Sequence, residues 1–167
     1  GDGNTALGQA AMQANTTGTR NLAIGFAAYN SSDTENDNLA IGYDAMTTNT
    51  AGGTQNVAIG NYAADALTSA DNNVAIGYNT LAANTTASQN LAMGYNALAI
   101  QTTDGAFNTA VGSYTLDNNT IGDKNVALGY VALTQNSEGS NNVGIGSSSS
   151  KSNSTGSSNT SAGNSSL

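Results

Sequence analysis

Asn56-Val57-Ala58-Ile59-Gly60-Asn61-Tyr62-Ala63-Ala64 is one copy of a unit that recurs along the whole chain. Asn73-Val74-Ala75-Ile76-Gly77-Tyr78-Asn79-Thr80-Leu81 and Asn90-Leu91-Ala92-Met93-Gly94-Tyr95-Asn96-Ala97-Leu98 follow the same grammar. That grammar is Asn, any residue, Ala, an aliphatic, Gly, two variable residues, a small residue and an apolar one. The motif glycines are Gly8, Gly25, Gly42, Gly60, Gly77, Gly94, Gly112, Gly129 and Gly146, spaced by 17, 17, 18, 17, 17, 18, 17 and 17 residues. Four residues before each stands an asparagine: Asn4, Asn21, Asn38, Asn56, Asn73, Asn90, Asn108, Asn125 and Asn142. A fixed period of this kind marks a solenoid, in which each repeat buries its apolar side against its neighbours.

Within a unit, Asn-Val-Ala-Ile-Gly alternates small and aliphatic residues, the period of a short strand. The glycine permits a bend, and a second short strand is predicted over Tyr-Asn-Ala-Leu and its equivalents. The rest of each coil is turn chemistry, as in Asn15-Thr16-Thr17-Gly18, Asn49-Thr50-Ala51-Gly52-Gly53 and Asn136-Ser137-Glu138-Gly139. The fold class is therefore all-β: a parallel β-solenoid of 17–18-residue coils. Nine coils occupy residues 1–150, and residues 151–167 form either a degenerate tenth coil or a Ser/Asn/Gly-rich linker.

Three coils make a 52-residue superperiod that places Gly8, Gly60 and Gly112 in equivalent positions. An aromatic row follows the glycines at Phe26, Tyr43, Tyr78, Tyr95 and Tyr130, and shifts one place on at Tyr62 and Tyr114. Its rings are expected either inside the roll or at a contact between chains, with sugar stacking as the alternative.

Composition removes most functions. Net charge is -8, from eleven acids against Arg20, Lys124 and Lys151, which argues against nucleic acid and anionic membrane as partners. Charged residues are 8% of the chain against roughly 25% in ordinary domains, so Asn, Ser, Thr and Gln must cover the surface. Such a surface points to an extracellular, cell-surface or virion setting. Cysteine, histidine and proline are absent, which removes disulfides, thiolate sites and the usual catalytic bases. No apolar run is long enough to span a membrane, and no secretory signal heads the chain. Gly1-Asp2-Gly3 reads as the end of a loop, which suggests an internal piece of a longer protein. No catalytic residue, metal site or cofactor is expected. Asp33-Thr34-Glu35-Asn36-Asp37 lacks the spacing of a calcium loop and reads as a solvated loop. Asn15, Asn30, Asn84, Asn118 and Asn153 open glycosylation triplets, which arise in this chain by composition alone.

Val74, Ile76 and Leu81 are the sizeable apolar side chains of a coil, and burying them leaves little surplus over the entropy of ordering it. Stacked asparagines would help by bonding to their copies above and below. The Ala/Gly row on the other side of the strand invites a second chain. Together these predict a homo-oligomer.

The string Asn-x-Ala-[Ile/Leu/Val]-Gly-[Tyr/Phe]-x-Ala-Leu, spanning residues 4–146, resembles the repeats of tail-fibre-like proteins of bacteriophages and bacteria. Val57-Ala58-Ile59-Gly60 and Val126-Ala127-Leu128-Gly129 are also similar to the head repeats of trimeric autotransporter adhesins, a left-handed parallel β-roll. Adhesin heads usually have shorter repeats, so the tail-fibre type is the better match. The resemblance implies a parallel homotrimeric fibre segment that displays or forms an element binding host-surface glycans or a receptor. A self-assembling surface filament is the near alternative. A flat-faced ligand- or ice-binding solenoid is disfavoured, because Thr47, Thr48, Thr50, Thr102 and Thr103 lie in loops and drift between coils.

Overall fold

The computed structural model describes residues 1–49 and 52–167; Thr50 and Ala51, part of the turn and threonine readings above, lie outside them. The chain winds as a parallel β-solenoid with one short strand per coil. The strands are β1 (Thr5–Leu7), β2 (Leu22–Ile24), β3 (Leu39–Ile41), β4 (Val57–Ile59), β5 (Val74–Ile76), β6 (Leu91–Met93), β7 (Thr109–Val111), β8 (Val126–Leu128), β9 (Val143–Ile145) and β10 (Thr160–Ala162). They form a single parallel sheet in sequence order. Register follows the repeat, with Ala58 opposite Ala40 and Ala75, and Ile59 opposite Ile41 and Ile76. In the tail, Thr160, Ser161 and Ala162 pair with Val143, Gly144 and Ile145.

The glycine column allows coils to stack this closely. Gly77 has φ +131°, and a Cβ there would lie 2.7 Å from the carbonyl oxygen of Gly94. No L-residue with a side chain fits that position.

The predicted second strand is absent. Over Tyr78–Leu81 the chain is a turn, with Asn79 (φ 54°) and Leu81 (φ 49°) both left-handed. The pair recurs at Asn96 (53°) and Leu98 (50°), and at Val131 (50°) and Leu133 (50°). A left-handed leucine costs roughly 1–2 kcal/mol. It is held because its amide bonds to the next coil, Leu81 N–H to Ala97 C=O at 3.1 Å and Leu133 N–H to Ser149 C=O at 2.9 Å. The residue before each motif asparagine is left-handed as well, for example Gln89 (63°) and Lys124 (56°).

The sides of the strand are also reversed from expectation. Ala23, Ala40, Ala58, Ala75, Ala92, Ala110 and Ala127 face inward and are fully buried. They meet the inward side chains of the turn: Met46, Leu81, Leu98, Leu116 and Leu133. Val74 and Ile76, expected in the core with Leu81, point outward and are only half-buried. The interior between strand and turn is too thin for an aliphatic on both sides, so the strand contributes its smallest residue. At Gly144, an added Cβ would already lie 3.0 Å from Leu133.

Candidate functional site

Two polar ladders running in opposite senses brace the solenoid. In the inner one, each motif asparagine offers Oδ1 to the backbone N–H of the motif asparagine in the following coil, as from Asn56 to Asn73 and from Asn73 to Asn90, each 2.9 Å. The chief contacts are thus side chain to backbone; amide-to-amide bonds such as Asn73 Nδ2 to Asn56 Oδ1 (3.2 Å) are subsidiary. In the outer ladder the side chain of the later coil accepts from the backbone of the earlier one. Thr54 N–H donates to Asp71 Oδ1 (2.7 Å), Asp71 N–H to Ser88 Oγ (2.9 Å), Ala106 N–H to Asp123 Oδ1 (2.7 Å) and Asp123 N–H to Ser140 Oγ (3.0 Å).

A second buried asparagine column was missed from the sequence, where Asn15, Asn49 and Asn136 passed as turn residues. Asn49, Asn84, Asn119 and Asn136 are fully buried. In these coils the Nδ2 donates to a carbonyl three or four residues on, as Asn84 does to Ala87 (2.8 Å). The signal was its regular place in the frame, eleven residues after the motif asparagine in Asn84, Asn119 and Asn136. This position bears on the glycosylation triplets: Asn84 is buried, and both polar atoms of Asn15 are shielded from water.

The outer face of the sheet has a different chemistry. Leu22, Leu39, Val57, Val74, Leu91, Val126 and Val143 form one outward row, and Ile24, Ile41, Ile59, Ile76, Met93, Val111, Leu128 and Ile145 another. None of the charged residues lies on a strand. Beside these rows runs the aromatic row, also on the outside and not within the roll, with Phe26, Tyr43, Tyr78, Tyr95 and Tyr130 exposed. Successive rings from Phe26 to Tyr130 lie 5.2–6.3 Å apart, stacked at Phe26–Tyr43 and Tyr78–Tyr95 and edge-on elsewhere. Tyr62 and Tyr114, one residue later in their coils, join the same file from left-handed backbone (φ 58° and 57°). Only the Phe26–Tyr43 and Tyr78–Tyr95 pairs cover each other face to face; Tyr62 and Tyr114 stand edge-on to both of their neighbours.

The acidic cluster disperses. Asp33 accepts from the Thr16 hydroxyl, Asp37 pairs with Arg20 at 2.6 Å, and Glu35 turns inward. The Glu35 carboxylate accepts from the N–H groups of Asp33 (2.8 Å), Thr34 (3.0 Å) and Gly52 (3.1 Å), so it braces the loop and its neighbour coil. The Arg20 guanidinium holds Asp37 below the usual carboxylate range. Thr68, Thr85 and Thr102 do not drift but stack: Thr68 and Thr85 each give the hydroxyl to the carbonyl of the next threonine (3.0 and 3.3 Å). Two shallow concavities, at Ser150/Asn153/Asn159 and at Ser88/Asp104/Ala106/Asp123, carry no nucleophile paired with a base.

Comparison of the chain with protein-family models, curated proteins and solved structures gives no match.

Proposed function

We propose that the chain is a non-enzymatic structural segment of an extracellular or virion fibre, whose copies associate side by side through the outer strand face. The observation that carries this reading is the charge-free pair of mainly aliphatic outward rows, of which the first is interrupted by Thr109 and has Thr5 and Thr160 in its end strands. At about 4.8 Å per coil the sheet is about 43 Å long, and its rows cover on the order of 400 Å². An apolar strip of that size matches the largest patch of a typical monomer, roughly 300–600 Å², which is often a functional surface. Its ridges recur at the coil spacing, so a partner that fills every groove must share that spacing; a second copy of this chain does. The resemblance to tail-fibre and adhesin repeats supports a parallel homotrimer that sets the reach of a glycan- or receptor-binding element. The inner asparagine ladder, unbroken from Asn4 to Asn159, suits a stiff rod under load.

Ile76→Lys and Leu128→Lys test the reading, because both side chains point out of the coil. Sedimentation equilibrium is expected to show an oligomer for the parent chain and a folded monomer for the double variant, by circular dichroism. A parent chain that stays monomeric, or an oligomer indifferent to both lysines, overturns it.

A further inference from the structure

The chain has seven tyrosines; six form a single exterior file and the seventh, Tyr29, is buried. From Tyr43 to Tyr130 the successive ring centroids are 5.4, 5.7, 5.4, 5.2 and 6.3 Å apart. Among the described residues no group outside the file bonds to these six hydroxyls, whereas Tyr29 OH accepts from Asn38 Nδ2 at 2.7 Å. The sheet register fixes each phenol beside the next before any reaction begins.

We propose that this file is a site of oxidative tyrosine coupling, in which a haem peroxidase with hydrogen peroxide joins rings of successive coils through carbon–carbon bonds. Each phenol gives up one electron and its hydroxyl proton. The two phenoxyl radicals combine at carbons ortho to oxygen, and the ortho hydrogens then move to the oxygens, restoring both hydroxyls. One peroxide takes up the two electrons and two protons and leaves as two waters. Two features of the fold favour the step. The partner ring is held at contact distance, so the bimolecular coupling becomes a reaction within one scaffold. The file also consists of like donors at short separation, so a radical formed anywhere along it can migrate until it meets another. A bond between Tyr78 and Tyr95 spans 17 residues, one full coil, and would staple neighbouring coils against peeling apart. This inference stands on the geometry within one chain and does not depend on association between chains.

The test treats a mixture of unlabelled and heavy-isotope-labelled chain with a haem peroxidase and hydrogen peroxide, folded and in urea, followed by dityrosine fluorescence and peptide mapping. Folded chain is expected to give crosslinks between file neighbours of the same isotopic label, above all Tyr78–Tyr95 and Tyr95–Tyr114, and none at Tyr29. Yield in urea should fall about tenfold as the imposed proximity is lost. Tyr95→Phe, which keeps the ring, should remove both named crosslinks without changing the melting curve. Absence of dityrosine, equal yield in urea, crosslinks found chiefly between differently labelled chains, coupling at Tyr29, or a Tyr95→Phe chain crosslinked as before would each overturn it.

Discussion

Asn125 and Asn136, in the same coil, point their amides at one acceptor: the carbonyl of Gly139 receives Nδ2 of both, at 2.9 and 2.8 Å. The same convergence occurs on Gly53, Ala87, Gly122 and Gly156. One carbonyl thus ties the start of the coil to its far corner, and both its lone pairs are used. Asparagine is required at these places because it carries a donor and an acceptor on a short neutral arm. In the motif column the acceptor serves the next coil while the donor closes its own.

Removing that arm should be costly. In Asn125→Ala, the buried Asn142 N–H loses the acceptor it reaches at 2.9 Å, and Gly139 loses one donor. Thermal or urea unfolding is expected to show a loss of about 2–4 kcal/mol, from one unsatisfied buried donor and one lost bond. Asn125→Asp should be worse at neutral pH, because it buries a carboxylate where a donor is needed. Burial raises the pKa of the introduced carboxyl, so the folded state binds the proton more tightly than the unfolded one. Stability of this variant should therefore recover as pH falls from 7 towards the ordinary carboxylate range. Equal stability of the Asn125→Asp variant at pH 4 and 7 would count against the assigned donor.

Volume is exchanged between the two inward sites of the turn. Leu81 is followed by Asn84 and Leu133 by Asn136, but in the coil between Asn56 and Asn72 the order is Ala64 then Leu67, all of them buried. The leucine has changed places with the site that is elsewhere polar. Ala64→Leu alone overpacks the coil and should cost about 1–3 kcal/mol. Leu67→Asn alone removes the leucine opposite an alanine and should cost about 2–5 kcal/mol. Together they restore the common grammar, with the new amide facing the Ala70 carbonyl that already accepts Asn56 Nδ2 at 2.7 Å. The double variant should be more stable than the sum of the singles by at least about 1 kcal/mol, measured by urea denaturation.

The outer ladder has gaps, one of them after Ser88. Asp71 and Asp123 accept from the preceding coils, but Ala106 has no oxygen to offer Ser88, whose N–H has no acceptor among the described residues. Ala106→Ser should close the gap and stabilise the chain by about 0.5–1.5 kcal/mol. Hydrogen exchange at the Ser88 amide should slow in the same variant; an unchanged rate would show that the serine does not reach it.

The repeat period, the parallel stacking and the glycine column were legible because each imposes a residue type: only glycine tolerates a carbonyl 2.2–2.7 Å from where Cβ would be, as at Gly60 and Gly77. The sides of the strand were misread because size was taken as a guide to burial. Ala75 lies inside and Ile76 outside since the space opposite is already filled by Leu81, a relation between residues that period alone does not reveal. The second strand was misread for a related reason. Leu81 and Leu98 adopt left-handed backbone against their own preference, under hydrogen bonds from neighbouring coils. The aromatic file was visible as a row, but the agreement of Tyr62 and Tyr114 with it depends on that same backbone geometry.

Tyr29 gives the chain an alkaline limit. Where other coils place a leucine it carries its ring inward, accepts from Asn38 Nδ2 (2.7 Å), and is 1% exposed. Burial pushes its phenol up to about 12, from the ordinary 10.0. The folded state thus favours the neutral hydroxyl, whereas the unfolded chain ionises near 10. This stabilisation is complete below pH 10 and is lost as pH rises through 12, a loss on the order of 2–3 kcal/mol. Tyr62 and Tyr114 are also raised, by burial among their neighbours and then by nearby negative charge, so the contribution of Tyr29 must be isolated by difference. Urea midpoints taken after brief exposure between pH 9 and 12 should fall more steeply for the parent chain than for Tyr29→Phe. Parallel slopes would mean that the Tyr29 hydroxyl is not held neutral inside the coil.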